Sequence, residues 1–243
     1  MLNYSEMFNL IRETIIKNSK YSKEIVLERF KRFEEFNFEE FDETYLFQVL
    51  SYVPFYSGFK AKTVTDRIET IKHYFSDYRR VADYDDDMID KIMNDPKMIK
   101  NKAKINAVVY NAKKVVWLAD KYGSFKNYLT QLKFNESERN LEKAAQGLQN
   151  TFKMLGEVTS HHFLTDIGAK TIKPDRVIMR ILTRLNLVSG LQAFDEAREV
   201  CNSIVVETGF SHRYVDIVMV KMGHEDDDLD TGIGHGICLG VAY

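Results

Sequence analysis

Apolar positions recur at helical spacing along most of the chain. Met7, Leu10, Ile11 and Ile15 form one series, and Ile25, Val26, Phe30 and Phe33 another, with Asn18-Ser19-Lys20 as a break between them. FNFEEF (36–41) alternates apolar and acidic residues and predicts at most a short extended piece. TYLFQVLSYVPFYSGFK (44–60) predicts an apolar helix that Pro54 ends or kinks near Val53, because proline removes a backbone donor. A helix over 62–75 follows, with Val64, Ile68, Ile71 and Phe75 on one face. The acidic run 83–87 precedes a helix carrying Met88, Ile89, Ile92 and Met93. It reads as a solvated helix N-terminus, since it lacks the alternating ligands, glycine and closing glutamate of an EF-hand. Residues 97–122 predict a long basic helix, and 124–133, 137–153, 177–187, 194–207 and 214–222 complete an all-α list.

One stretch, FKMLGEVTSHHFLTDIGAKTIKPDRVIMR (152–180), departs from plain amphipathic helix. It predicts a helix end, a tight turn over 155–159, a helix from Ser160 to about Asp166, a stop at Gly168, and a loop delivering Asp175 ahead of another helix. Gly156 is expected to use its tolerance of positive φ, and Thr159 or Ser160 to cap the second helix. Exposed amides in such a turn suit a phosphate. Pro174 disfavours the α region at Lys173, so a helix start just beyond it is expected.

Composition changes this picture little. A chain of 243 residues fits one large domain or two small ones. Three prolines and twelve glycines leave no linker or low-complexity segment, and the tail from Gly223 is glycine-rich and irregular. No apolar run reaches the roughly 18 residues of a transmembrane helix, and the polar-interrupted start argues against a signal peptide. Cys201 and Cys238 lie far apart without a CxxC, which fits a reducing cytoplasm. A formal charge of −2 gives no global sign of nucleic-acid binding, so a local cationic face would have to supply it.

Five segments, in order, resemble the helix–hairpin–helix DNA glycosylase superfamily over about 45–223. FQVLSYVPFYSGFKAKTV, MIKNKAKINAVVYNAKKV and FKMLGEVTSHHFLTDIG look like the 3-methyladenine glycosylase type I branch. IKPDRVIMRILTRLNLV and YVDIVMVKMG look like the endonuclease III and 8-oxoguanine glycosylase branch, which places an aspartate just after the hairpin's second helix. The resemblance implies an all-α fold of two helical lobes with a cleft between them. In that division 1–43 are N-terminal helices packing on the second lobe, 44–223 the glycosylase core, and 224–243 an irregular tail. It also implies base-excision repair of double-stranded DNA containing a damaged base, by a monomer without a membrane anchor.

Excising a base turns the sugar into a near-oxocarbenium ion, and a carboxylate beneath it stabilises that charge and can activate water. The resemblance makes Asp175 that carboxylate; on its residue type and position alone it reads first as a helix cap, and the two roles are compatible. Bifunctional relatives form a Schiff base with a lysine at the hairpin's second helix. Matching LGEVTSH to their pattern puts His161 there, which implies a monofunctional enzyme. An alignment that makes Lys170 the nucleophile leaves too few residues before Asp175 for the intervening helix. The hairpin implies a phosphate grip by the main chain of Leu155, Gly156, Val158 and Thr159, with Ser160 and His161 beside it. No cofactor is implied beyond a monovalent cation at the hairpin.

Lys100, Lys102 and Lys104 read either as a phosphate-facing helix start or as a solvated lysine face. Tyr56 stands where relatives carry a glutamine wedge, and Phe55 and Tyr52 are candidates to line the base pocket; each is as readily a core aromatic. Departures from the type I branch bear on the lesion. Val53 stands at its pocket glutamate, Ala61 at its tryptophan, and its zinc ligands have no counterpart; Arg176 and Arg180 stand near the C-terminal ones. His235 and Cys238 are spaced like two ligands without another two, so no metal is expected. An aromatic pocket without a buried carboxylate is expected, favouring an alkylated purine. A bifunctional oxidised-purine glycosylase/lyase, a catalytically weak DNA-binding protein, and a helical protein unrelated to DNA are the alternatives.

Overall fold

A computed structural model describes residues 3–31, 33–34 and 36–223. The described residues are helical throughout, without a strand. In chain order the helices are α1 (Tyr4–Asn18), α2 (Lys23–Lys31), α3 (Glu43–Tyr56), α4 (Ala61–Thr65), α5 (Ile68–Tyr74), α6 (Tyr78–Ala82) and α7 (Asp86–Asn94). There follow α8 (Lys102–Tyr122), α9 (Phe125–Gln131), α10 (Glu138–Thr151), α11 (Glu157–Asp166), α12 (Arg176–Arg184), α13 (Phe194–Thr208) and α14 (His212–Gly223). The fold class read from the sequence holds. The chain divides into two compact units: Asn37–Ala169 forms one, while the chain up to Phe36 and again from Lys170 forms the other.

The continuous unit is built around α3, whose residues from Leu46 to Phe55 are nearly all buried. Phe47, Leu50 and Val53 share a core with Ile105, Val108 and Ala112 of α8 and with Phe163 and Leu164 of α11. Pro54 does not end α3 at Val53; the helix runs on to Tyr56, its nearly complete burial outweighing the one backbone donor that proline removes. FNFEEF contains a 3₁₀ turn over Phe38–Glu40, capped by the Asn37 side chain, and no extended piece. The expected helix over 62–75 is two, α4 and α5, broken at Asp66-Arg67. Asp85 caps α7 by accepting the Met88 N–H, and Asp86 and Asp87 fill its first turn, as the dipole favours.

The discontinuous unit joins both ends of the chain. Phe8, Ile11 and Ile15 of α1 and Val26 and Phe30 of α2 pack in one core with Ile178 and Leu182 of α12, and with Tyr214, Val218 and Met219 of α14. Tyr214 anchors it: its ring stacks on Phe210 at 4.4 Å, and its hydroxyl accepts from Arg12 Nε at 3.1 Å. Arg12 also lies over the Phe210 ring at 4.6 Å.

His212, at the start of α14, has its Nε2 2.9 Å from Asn202 Oδ1. Burial, and secondarily the charge of Lys170, lowers its pKa from 6.5 to about 4. The folded state therefore binds fewer protons than the unfolded chain between those values. The stability this group contributes is present above pH 6.5 and is lost as pH falls towards 4, a loss of about 3 kcal/mol before solvent screening of the half-buried ring reduces it. Chemical denaturation of wild type and His212→Gln across that range should show a flatter pH dependence for the variant.

Candidate nucleic-acid interface and active site

The hairpin lies in the continuous unit, between α10 and α11. The Phe152 amide donates back to Leu148 and closes α10. The left-handed residue of the turn is Met154, at φ 60, and not Gly156, whose φ of −90 is extended. Gly156 is instead the N-cap of α11, and the helix begins at Glu157 rather than Ser160. Thr159 stabilises this start from inside the helix: its hydroxyl accepts the Gly156 N–H at 2.6 Å. The Ser160 amide is taken by the Gly156 carbonyl at 2.8 Å. That leaves the amides of Glu157, Val158 and Thr159 as the helix's outward donors. Gly156 is exposed, and a Cβ there would meet nothing nearer than Thr159 Oγ1 at 3.9 Å. Nothing inside the chain requires glycine at this position; a close neighbour from outside would.

Ser160 and His161 face the other way. Ser160 is fully buried, accepting from Gln149 Nε2 at 3.1 Å and donating to the Glu157 carbonyl. His161 is buried with Nε2 3.6 Å from Glu142 Oε1 of α10. Both side chains fasten α11 to α10, so neither offers solvent a contact.

The three lysines separate. Lys100 is exposed, and Lys102 is exposed with Nζ 3.1 Å from Asp90 Oδ1. Lys104 is buried, and its ammonium donates to the carbonyls of Pro54 at 2.6 Å and Ser57 at 2.8 Å. It caps the C-terminal end of α3, where terminal carbonyls and the helix dipole both favour a cation. Burial lowers its pKa. The expected phosphate contact at Lys104 is thereby corrected to a structural one.

The aromatic candidates meet an unexpected group. Phe55 is wholly within the core, so it is neither wedge nor pocket wall. Tyr52 donates its hydroxyl to Asp166 Oδ2 at 3.0 Å, and Tyr45 donates to the Asp166 carbonyl at 3.0 Å. His162 Nε2 lies 3.3 Å from the same carboxylate oxygen. Tyr56 is half-buried, edge-on to Tyr52 at 6.2 Å and to His162 at 5.1 Å, with its hydroxyl 3.3 Å from Thr65 Oγ1. A buried carboxylate thus does lie beside these aromatics: Asp166 of α11, 4% exposed, against Tyr52 and His162. Asp166 lies 114 residues from Tyr52 in sequence. The only sequence signal for it was its i+4 spacing from His162.

Asp175 belongs to the discontinuous unit. Its Oδ1 accepts from the Val177 and Ile178 amides at 2.9 and 3.1 Å, so it does cap α12. Its Oδ2 lies 3.4 Å from Lys173 Nζ, and the side chain keeps 23% of its exposure. The loop is held by a residue the sequence did not single out. Asp216 of α14, fully buried, accepts the Lys173 amide at 3.0 Å through Oδ1, and Arg213 donates to its Oδ2 at 2.8 Å. Burial raises the Asp216 pKa, while Arg213 and Lys173 oppose that shift. Among the described residues no group of three acidic, histidine or cysteine side chains could hold a metal ion. His235 and Cys238 lie outside the described residues. No described helix is long and apolar enough to cross a membrane.

Described residues that form helices without a strand, with a helix–hairpin–helix turn and a helix-capping aspartate beyond it, have the architecture of the helix–hairpin–helix DNA glycosylases. Residues 29–173 match the methyladenine glycosylase family, and the chain belongs to that family. It is thus a DNA glycosylase, an enzyme that hydrolyses N-glycosidic bonds in base-excision repair. Among solved structures it is similar to the Methanocaldococcus jannaschii 8-oxoguanine glycosylase/lyase in complex with 15mer DNA containing 8-oxoguanine, with 19% identity, 89% of this chain and 96% of that one covered, and a TM-score of 0.57. The Thermotoga maritima 8-oxoguanine DNA glycosylase gives 18%, 89%, 95% and 0.57. The Staphylococcus aureus 3-methyladenine DNA glycosylase I gives 19%, 61%, 88% and 0.49. The mixture of branches read from the sequence holds, and the family match stops two residues before Asp175.

The buried placement of Lys104 makes a prediction. Lys104→Met should cost roughly 2 kcal/mol by leaving α3 carbonyls unpaired, measured by chemical denaturation. The salt dependence of DNA binding should be unchanged.

Proposed function

We propose that this glycosylase is monofunctional and removes an alkylated purine from double-stranded DNA, with Asp175 as the catalytic carboxylate. The observation that carries the reading is the double anchoring of Asp175. Two α12 amides fix one oxygen, and the Asp216 clamp on Lys173 fixes the loop, while the carboxylate retains partial exposure. A carboxylate held in place before reaction stabilises charge without reorganising at that moment.

In the reaction the glycosidic electron pair leaves with the base and neutralises the positive ring of an alkylated purine, so no general acid is needed. Water adds to the sugar carbon, and Asp175 takes its proton. As written, the reaction calls for no metal or organic cofactor. The exposed amides of Glu157, Val158 and Thr159 grip a phosphate, with a monovalent cation admitted at the turn. Tyr56, the less buried of the two rings, stacks on the extruded base, while Tyr52 holds Asp166, the anion that favours a cationic ring over a neutral one. The enzyme acts as a monomer.

One observation favours a lyase as the second reading: an amine, Lys173 Nζ, stands beside Asp175. That amine is engaged with the Asp175 carboxylate rather than free to attack a sugar carbon.

Base release should be measured side by side on alkylated, oxidised and deaminated duplexes. Release from the alkylated duplex that falls by about a hundredfold or more in Asp175→Asn is expected, with little change in stability because asparagine also caps helices. Release from the oxidised duplex alone would overturn the assignment. Borohydride trapping should yield no covalent adduct. An adduct lost in Lys173→Ala would install the lyase, and one lost in Lys170→Ala would restore the rejected alignment.

A further inference from the structure

The outer face of α8 carries a feature that base excision does not use. Tyr110, Lys114, Trp117 and Lys121 follow one another at spacings of four, three and four residues, so they form a single stripe. The stripe runs about 16 Å along the helix at ~1.5 Å per residue. Trp117, the one tryptophan of the chain, is 56% exposed. Lys121 lies over its ring at 5.1 Å, and Lys114 lies 5.6 Å from the Tyr110 ring. Asp120, the one carboxylate of α8, is paired with Arg79 of α6. The stripe is therefore cationic and aromatic without a competing anion on it.

Its near end is joined to the hairpin. Buried Asn111 donates to the Lys153 carbonyl at 3.1 Å and accepts the Lys153 amide at 2.8 Å. These paired bonds fix the residue before Met154 against α8, and they place Lys153 Nζ 4.2 Å from the Tyr110 ring. The turn that would hold one phosphate thus continues into a rigid row of lysines and aromatics.

We infer that the Tyr110–Lys121 stripe with Lys153 is a track for the duplex flanking the damaged base, extending contact beyond the hairpin. This rests on the reading of the hairpin as a DNA grip. The chemistry fits a nucleic-acid backbone: ammonium groups neutralise phosphates, and the indole and phenol offer donors to phosphate oxygens above apolar sugar faces. The row covers about half a turn of duplex, taking roughly 34 Å per turn.

Trp117 reports on this directly, because all tryptophan fluorescence comes from it. Titrating wild type with a duplex carrying an abasic-site analogue should change that emission. An equal ionic strength of simple salt should not. In Lys114→Ala/Lys121→Ala, the slope of log affinity against log salt should fall by roughly 1–2, at about 0.9 per lost phosphate contact. The loss of affinity should shrink on a duplex truncated beside the lesion. Unchanged emission and slope would overturn the track while leaving base release, and so the glycosylase reading, intact. Emission that changes with protein concentration and not with DNA would overturn it in favour of self-association. A wild type that releases no base from any lesion would strike the glycosylase reading instead.

Discussion

Helix ends set the terms for this structure. Each leaves backbone donors or acceptors that the helix cannot pair itself, and burying them unpaired is costly. The segments that matter for function are all such ends, closed by side chains from elsewhere. Lys104 closes α3 from 47 residues away, Asn111 fixes the hairpin from 42, and Asp216 holds the loop before α12 from 43. The charged groups among them are buried, so removing one partner strands the other. Local geometry at the site is thereby tied to the packing of distant helices.

This explains the division of labour around the buried carboxylate of Asp166. Tyr45 and Tyr52 bring hydroxyls from α3, and His162 brings an imidazole from α11 itself. The hydrogen bonds lock α3 to the hairpin's second helix and fix the tyrosine rings. Rings so fixed have little freedom left to lose, and a preorganised surface binds any partner at lower entropic cost.

Much of this was legible in the sequence, and the reasons for the failures are physical. Periodicity located most helices because their faces are amphipathic, and the Pro174-Asp175 pair marked the start of α12 through proline's known restriction. Periodicity could not show that Lys104 turns inward: a lysine among lysines carries no sign of its direction. Nor could it show Asp166 meeting Tyr52, since their contact depends on how α3 and α11 pack. Gly156 misled in an instructive way. Its place in the turn suggested a left-handed backbone, yet Met154 takes that conformation and Gly156 leaves an open surface at a helix start. Pro54 misled similarly, because the burial of the helix around it outweighs the single backbone donor it lacks.

The two units differ in how the chain enters them. Asn37–Ala169 is continuous, whereas α1 and α2 find their core only against α12, α13 and α14. During synthesis the hairpin and its aromatic neighbours can fold as soon as their own segment has emerged. The first helices must wait with their apolar faces uncovered until the last ones arrive, a long loop closure of the kind that slows folding and invites aggregation. The Asp216 bond to Lys173 forms at that late step. A nascent chain would therefore form its hairpin before the loop carrying Lys173 and Asp175 is set.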